Sequence, residues 1–217
     1  MKKKFSQLLV ILFSSITSLP VLSAADGAPF TVTGEQVVHR PPAGWKLAWM
    51  SGKSDGNYFS EYIPDEEDIN SWRKGYLLIQ RIGFPPNEIV KALEKNRIRI
   101  GDALLYSFMQ EVRKTCGGRQ ESMEFKGNNF NGLYFAMGGG FCDRYGPAAP
   151  FGEGQIVGFV EGKNFMFRIQ YSWRPRSTAE HGDHIPWRIA QDKIEQYRTA
   201  IQATTICGNA ETPACKD

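Results

Sequence analysis

One long helical pattern, with strand-like segments on both sides of it, is the feature that most limits the fold of this chain. Between Asn87 and about Lys114, apolar residues recur at three- and four-residue spacing, which is typical of one buried helix face. They are Ile89, Val90, Leu93, Leu104, Leu105, Phe108, Met109 and Val112. Gly101 interrupts this pattern, and glycine costs about 1 kcal/mol relative to alanine in a helix interior, so the pattern also allows a kink or a break into two helices there.

Strand-like segments flank this helical pattern, and turn residues separate them. The alternation and the β-branched and aromatic content predict strands at 45–50, 57–63, 75–82, 120–125, 132–141, 155–161 and 165–173. Turns are predicted at 126–129 and 161–164, and a short helical turn is predicted at 64–72. Pro186 is expected to begin a final helix. This order predicts an α+β fold, in which an antiparallel sheet of about six to seven strands packs with one long central helix and a C-terminal helix.

The first residues have the layout of a cleavable secretory signal. Three lysines at positions 2–4 precede an unbroken apolar run at 8–13, and small residues at 23–25 come before the first acid, Asp26. Serine, threonine and proline interrupt residues 14–20, whereas a membrane anchor needs about 20 apolar residues. We therefore expect a signal peptide at 1–25, a periplasmic or secreted product, and no stable membrane anchor.

Charge and domain organisation follow from that signal. The chain has 26 basic and 23 acidic side chains, and the three lysines of the signal account for the difference. The basic pI therefore gives no reason to expect a nucleic-acid partner. The remaining residues predict an extended segment at 26–44, one α+β domain at 45–206 and a short tail at 207–217.

Four cysteines in an oxidising compartment favour two disulfides, with three possible connectivities. The pairing Cys116–Cys142 with Cys207–Cys215 is preferred, because the second pair closes a short, turn-rich loop. The first pair would then tie the end of a helix to a strand. The spacing of the cysteines fits no zinc module, and no Cys-x-x-Cys motif is present.

The histidine-rich loop is the one candidate metal site. His181, Asp183 and His184 follow Glu180, and a His-x-x-His pair with acids could hold one face of a divalent metal ion. A solvated loop leading into a helix is the simpler interpretation. No other motif supplies a nucleophile with its base. The glycine runs at 138–140 and 151–154 lie in or beside predicted strands, and they are interpreted as bulges or close packing rather than a phosphate-binding loop.

Aromatic residues are concentrated early in the mature chain. Alternation places Trp45 and Trp49 on one strand face, and Tyr58 and Tyr62 on one face of the next strand. Such rings usually pack in a core or across strands. If they are exposed, Tyr58, Tyr62 and Trp72 form the candidate binding surface, because exposed rings can stack on sugars or hold a peptide.

The block from Glu61 to Trp72, followed by the Leu-Leu-Ile-Gln run that ends at Gln80, resembles a motif of uncharacterised secreted proteins of proteobacteria. The order of elements is similar to that of the PsbP/Mog1-like sandwich. The first resemblance implies secretion and the second a fold, and neither implies an activity. We therefore expect a non-catalytic module without a cofactor that binds an envelope component or a partner protein. The alternative is a metal-dependent hydrolase centred on His181, Asp183 and His184.

Overall fold

The computed structural model describes residues 29–180, 187–209 and 211–215, and within 124–126 the backbone alone. The predicted secretory signal lies outside these residues. In chain order the elements are β1 (Gln36–Val38), β2 (Trp45–Gly52), β3 (Tyr58–Pro64), β4 (Tyr76–Gly83), α1 (Asn87–Lys95), α2 (Ile100–Thr115), β5 (Gln120–Phe130), β6 (Leu133–Cys142), β7 (Glu153–Glu161), β8 (Phe165–Trp173), α3 (Gln191–Gln202) and β9 (Thr205–Cys207).

Seven strands form one antiparallel sheet in the order β2-β3-β4-β8-β7-β6-β5. The predicted α+β class and antiparallel sheet are therefore confirmed. The central contact between β4 and β8 joins a three-strand meander from the first part of the chain to a four-strand meander from the second. Two short strands that the pattern did not predict, β1 and β9, pair with each other in a separate ribbon.

The two faces of the large sheet pack against different helices. Helix α2 lies on one face, where Leu105 and Phe108 belong to a buried cluster with Val157 and Phe159 of β7. Helix α3 lies on the other face, where Ile201 joins a cluster built on the intervening residues of the same strands. Because successive side chains of a strand point to opposite faces, β7 and β8 are buried on both sides. We call these the α2 face and the α3 face.

The helical pattern forms two helices rather than one long central helix. Helix α1 ends at Lys95, and α2 begins at Ile100, after a turn in which Arg97 has a φ of 56°. The side-chain amide of Asn96 donates to the carbonyl of Ala92 at 2.7 Å and so satisfies a carbonyl of the last turn of α1. The sequence suggested a break at Gly101. The chain leaves the helix several residues earlier, after Lys95.

Gly101 itself serves packing. It lies in the first turn of α2, where its N–H donates to Glu161 Oε1 at 3.0 Å. A Cβ atom at this position would lie 3.3 Å from Ala136 Cβ on the sheet. Glycine thus lets the start of α2 approach β6 closely.

Three local predictions are wrong. Residues 65–72 form turns rather than a helical turn, because the carboxylate of Glu67 accepts the backbone N–H groups of Arg73 and Lys74 and holds the segment folded back. Helix α3 begins at Gln191, later than the predicted start at Pro186, which itself lies outside the described residues. The turn predicted at 126–129 is part of strand β5.

Both disulfides have the preferred pairing. Cys116, which caps the C-terminus of α2, is bonded to Cys142, the last residue of β6, and their Cα atoms are 5.6 Å apart. Cys207 is bonded to Cys215 across 8 residues, with a Cα–Cα distance of 5.0 Å. Two disulfides are typical of a protein that folds in an oxidising compartment. Within the described part of the chain, no helix combines the length and the apolar character needed to cross a membrane.

The glycine run at 138–140 sits in β6 and allows close packing on both sheet faces. A Cβ atom at Gly138 would come within 3.1 Å of Leu105 on α2, and one at Gly139 would lie 3.0 Å from the ring of Trp187 on the opposite face. This confirms the interpretation of the run as a close-packing feature of a strand.

Two buried charges fasten the segment before β1 to the sheet. Arg81 donates to the carbonyls of Thr33 and Glu35 at 2.7 and 2.9 Å. The Glu35 carboxylate in turn accepts the N–H groups of Lys163 and Asn164, each at 2.8 Å, in the hairpin between β7 and β8. The predicted turn at 161–164 is therefore present, and a carboxylate from a distant part of the chain satisfies its donors.

Candidate functional site

A polar cleft opens on the α2 face, beyond the edge of α2. Its volume is about 340 Å³, and its charged, phenolic and amide lining comes from Glu61, Tyr76, Glu153, Arg168, Gln170 and Arg174. Strand alternation brings these residues together, because Leu78 pairs with Gln170 and with Glu61 in adjacent strands. The cleft therefore spans the junction between the two meanders.

Arg168 is the central cation of this cleft. Its Nη2 donates to Gln170 Oε1, and its guanidinium carbon lies 4.3 Å from the centre of the Phe108 ring. Its Nε is buried and has no hydrogen-bond partner, and within the described residues no carboxylate pairs with it. Burial lowers the pKa of Arg168 to about 10, so the side chain remains cationic at neutral pH.

A buried ladder of polar side chains holds Gln170 in place. Its Nε2 donates to Gln155 Oε1 at 3.0 Å and to Ser172 Oγ at 2.8 Å. With both amide hydrogens used, its Oε1 is directed towards Arg168. All three ladder residues are buried, so the floor of the cleft is rigidly set by the sheet.

Tyr76 and Glu61 form the second polar pair of the cleft. The Tyr76 hydroxyl donates to Glu61 Oε1, and both residues are half-buried. Burial raises the pKa of the Glu61 carboxyl, although the hydrogen bond from Tyr76 opposes the shift. Burial and the neighbouring Glu61 also raise the pKa of Tyr76, so the phenol remains protonated at neutral pH.

Trp72 forms one wall, but neither face of its ring is free. Its ring stacks on Tyr76, with the ring centres 4.9 Å apart. The guanidinium carbon of Arg174 lies over the indole of Trp72, 3.8 Å from the ring centre. Arg174 Nε also donates to Glu153 Oε2 at 2.8 Å. Trp72 is only 5 % exposed. It is therefore a structural wall of the cleft rather than a platform for stacking a ligand.

The other two candidate aromatics lie on the α3 face. Tyr58 is 6 % exposed, and the Arg81 guanidinium carbon lies 4.8 Å from its ring centre. Tyr62 is half-buried and packs against the main core cluster. The structure thus places both tyrosines on one face, as alternation predicts, but they pack inside. Of the three residues in the candidate binding surface, only Trp72 borders the cleft.

The charged side chains around the cleft differ in whether they have an oppositely charged partner. Glu153 has Arg174 as its counter-ion, and Glu61 has the Tyr76 hydroxyl as its donor. Desolvation still raises the pKa of Glu153 against the effect of Arg174. Arg168 has an amide oxygen and an aromatic ring as neighbours, and neither carries a full negative charge. The cleft therefore contains one cation, Arg168, and one carboxylate, Glu61, that have no oppositely charged partner within the described residues.

A larger cavity, of about 630 Å³, lies on the other side of Arg174. Several of its charged side chains are already engaged: Lys74 pairs with Glu66 at 2.6 Å, and Arg73 and Arg188 donate to backbone carbonyls. One lining residue, Glu180, directly precedes in sequence residues 181–186, which are not described. We therefore assign the candidate site to the smaller cleft.

The candidate metal ligands His181, Asp183 and His184 fall outside the described residues. Among the residues that are described, no group of three or more histidine, cysteine, aspartate or glutamate side chains is placed to hold a metal ion. The metal site therefore stays a sequence-based prediction.

Sequence reasoning missed most of the cleft, yet a signal was present. In β8, the residues Arg168, Gln170 and Ser172 alternate with apolar residues, and the strand is buried on both faces. Polar residues at every second position of a central strand indicate a face that is covered only in part by apolar groups. The chain matches no protein-family model and no curated protein.

Proposed function

We propose that this protein is a non-catalytic binding module of an oxidising compartment, either the periplasm or the exterior of the cell, and that a component of the envelope binds in the polar cleft. The observation that supports this proposal is the unpaired Arg168 at the floor of a solvent-accessible cavity. Concave sites with a few convergent polar groups are the usual form of small-ligand sites. The two disulfides and the predicted signal support the compartment.

The polar groups of the cleft are arranged for recognition rather than for chemistry. The Tyr76 hydroxyl is committed to Glu61, and the Glu153 carboxylate is committed to Arg174. A general acid or base needs a proton that it can exchange with a substrate atom within hydrogen-bond reach. Rigid, mutually satisfied side chains instead hold a shape and a charge pattern, which favours selective binding.

A thermal-shift screen with and without a blocked cleft tests this proposal. The compounds are small envelope constituents in neutral, cationic and anionic sets, such as sugars, amines, amino acids and short peptides. In the blocked variant, Leu78→Trp, an indole on β4 fills the cleft that Leu78 now lines. We expect at least one set to raise the melting temperature of the wild type and to have no effect on Leu78→Trp.

The matched control is Leu47→Trp. Leu47 is 37 % exposed on the edge strand β2 and pairs with Tyr62, which places it on the α3 face. This variant should respond to the same compounds as the wild type. The proposal is wrong if no compound stabilises the wild type, or if the stabilisation persists when the cleft is blocked.

A further inference from the structure

We propose that Arg168 is a subsite for a single carboxylate, and that the cleft binds a small monoanionic molecule through it. This inference rests on the proposed function, because it names the chemical class of the ligand for the same cleft. It follows from how the protein treats its other enclosed arginines, from the charges beside Arg168 and from the size of the cavity.

The chain pairs its other enclosed arginines with backbone carbonyls or with a carboxylate. Arg81 is completely buried, and its guanidinium donates to four backbone carbonyls at 2.6 to 2.9 Å. Arg174 donates to the Glu153 carboxylate at 2.8 Å. Arg168 is half-buried with an enclosed Nε that has no hydrogen-bond partner, and its one side-chain acceptor is the neutral amide oxygen of Gln170. Arg168 and Arg174 both line the cleft, and of these two Arg168 is the one without a carboxylate partner among the described residues.

A guanidinium that lacks hydrogen-bond acceptors destabilises the folded protein unless another group supplies them. Partly enclosing a charge without a counter-charge destabilises a folded protein, because nothing of opposite charge offsets the lost hydration. The Phe108 ring attracts the cation, but more weakly than a hydrogen-bonded carboxylate would. An anion in the cleft would recover the difference, because charge-assisted hydrogen bonds are about twice as strong as neutral ones.

The neighbouring acids favour a monoanion over a dianion. Glu61 and Glu153 both line the same cavity as Arg168. A phosphate group, with close to two charges, would face more repulsion from them than a carboxylate would, while gaining only one unneutralised cation. The planar guanidinium also matches a planar carboxylate in shape.

The dimensions and the apolar lining complete the description of the ligand. The cavity of about 340 Å³ is near the lower end of the range for small-molecule sites, roughly 300 to 1,000 Å³. Ile69 and Leu78 supply apolar lining beside the charged groups. A short hydrocarbon chain attached to the carboxylate fits this combination better than a sugar or an extended peptide does.

The side-chain Nε–H signal of Arg168 provides a direct test by NMR. The signal is identified by its absence in Arg168→Met, a variant that keeps an apolar stem on Phe108. The protein is titrated with butyrate, with butyramide and with inorganic phosphate at constant ionic strength. We expect a saturable shift of the Arg168 signal with butyrate alone, and butyrate binding at least about tenfold weaker in Arg168→Met.

Arg99→Gln is the matched control. Arg99 also lies over an aromatic ring, 4.2 Å from the centre of Tyr134, but it has a carboxylate partner, Glu161, at 3.2 Å and lies outside the cleft. Its loss should leave butyrate binding unchanged. Unfolding midpoints of Arg168→Met without ligand give a second measurement: a protein at least as stable as the wild type is expected, since an incompletely paired charge has been removed.

The outcomes separate this inference from the proposed function. Equal shifts with butyrate and butyramide would show an apolar cleft without an anion subsite, and a response to phosphate alone would overturn the choice of a monoanion. If neutral or cationic compounds stabilise the wild type but not Leu78→Trp, while butyrate has no effect, the carboxylate subsite is wrong and the binding module stands. If no compound binds at all, both are wrong.

Discussion

His39 should make the stability of this protein fall between neutral and mildly acidic pH. Its Nδ1 lies 2.9 Å from Thr204 Oγ1, and its Nε2 lies 2.8 Å from the Tyr171 hydroxyl. The ring thus connects the segment after β1 to β8 and to the residue that precedes β9. Burial lowers the pKa of His39 from 6.5 to about 4. The folded protein therefore binds the imidazole proton less readily than the unfolded chain does.

The sign and size of the effect follow from linkage. A group whose folded pKa lies below its unfolded pKa contributes stability above the unfolded value, and this contribution is lost as the pH falls towards the folded value. With pKa values of 6.5 unfolded and about 4 folded, the loss between pH 7 and pH 5 is about 2 kcal/mol. Between pH 7 and pH 4 it approaches about 3 kcal/mol.

Urea unfolding at pH 7, 6 and 5 measures this loss, with His39→Gln as the comparison. Glutamine keeps a donor and an acceptor near Thr204 and Tyr171 but does not titrate. All other ionisable groups titrate in both proteins, so they cancel when the two pH profiles are subtracted. We expect the wild type to lose about 2 kcal/mol more than His39→Gln on going from pH 7 to pH 5. Parallel profiles would refute the assignment of a buried, neutral His39.

Three further predictions concern the crosslinks, the core and the metal. Replacing Cys116 and Cys142 by serine should lower the free energy of unfolding by about 3.5 kcal/mol in a loop-entropy model, and thiol titration of the native wild type should detect no free thiol. Gly158→Ala places a methyl group 2.5 Å from a side chain of α3, and equilibrium unfolding should show a loss of about 1 to 3 kcal/mol. Protein purified without chelator should contain no stoichiometric zinc by elemental analysis; zinc that disappears in the His181→Ala, His184→Ala double variant would favour the hydrolase alternative.

The strands and the disulfides were the parts of the fold that the sequence predicted well. All seven strands of the large sheet lie within or overlap the predicted segments, because alternation and β-branched content carry a local signal. The cysteine pairing also followed local logic, since one pair closes a short loop. The strand order is different in kind: the contact of β4 with β8 joins residues some ninety positions apart, and no local pattern encodes it.

The missed hairpin shows where local chemistry was overlooked. Asn131 and Gly132 both have positive φ, 52° and 78°, and they connect β5 to β6. Asn-Gly is the pair that a two-residue type I′ hairpin favours. The residues assigned to the turn instead lie in β5, at an irregularity in its pairing with β6 between Phe125 and Asn128. The polar run at 126–129 has the composition of a turn, but Asn131 and Gly132 have the left-handed conformation that the two-residue turn requires.

A bulge explains why the two tryptophans of β2 do not share a face. Leu47 pairs with Tyr62 and Trp49 pairs with Glu61, so one residue of β2 is skipped between them. One extra residue reverses the direction of every side chain that follows. Trp45 therefore packs towards Tyr171 on the α3 face, whereas Trp49 pairs with a residue of the cleft face. Strict alternation cannot anticipate a bulge.

The position of the cleft is a consequence of the width of the sheet. Seven strands spaced about 4.8 Å apart extend over about 29 Å, whereas one helix covers about 10 Å of a sheet face. Helix α2 packs on β6 and β7 and reaches the first residues of β8. The same face of the strands towards β3 is bordered instead by irregular segments such as 65–74. Turns cannot present a continuous apolar stripe. The face beneath them must therefore tolerate water, and polar residues in β8 meet that need.

Tolerating water does not by itself explain the charges of the cleft. Serine and glutamine in the ladder would suffice for a wet sheet face, and Glu153 with Arg174 forms a self-contained pair. Arg168 adds a cation that neither the ladder nor the pair needs. An apolar or amide side chain at position 168 would avoid the cost of enclosing an unmatched charge. Within the described residues, only the neutral Gln170 amide and the Phe108 ring offset that cost, and for this reason we interpret the arginine as serving a ligand.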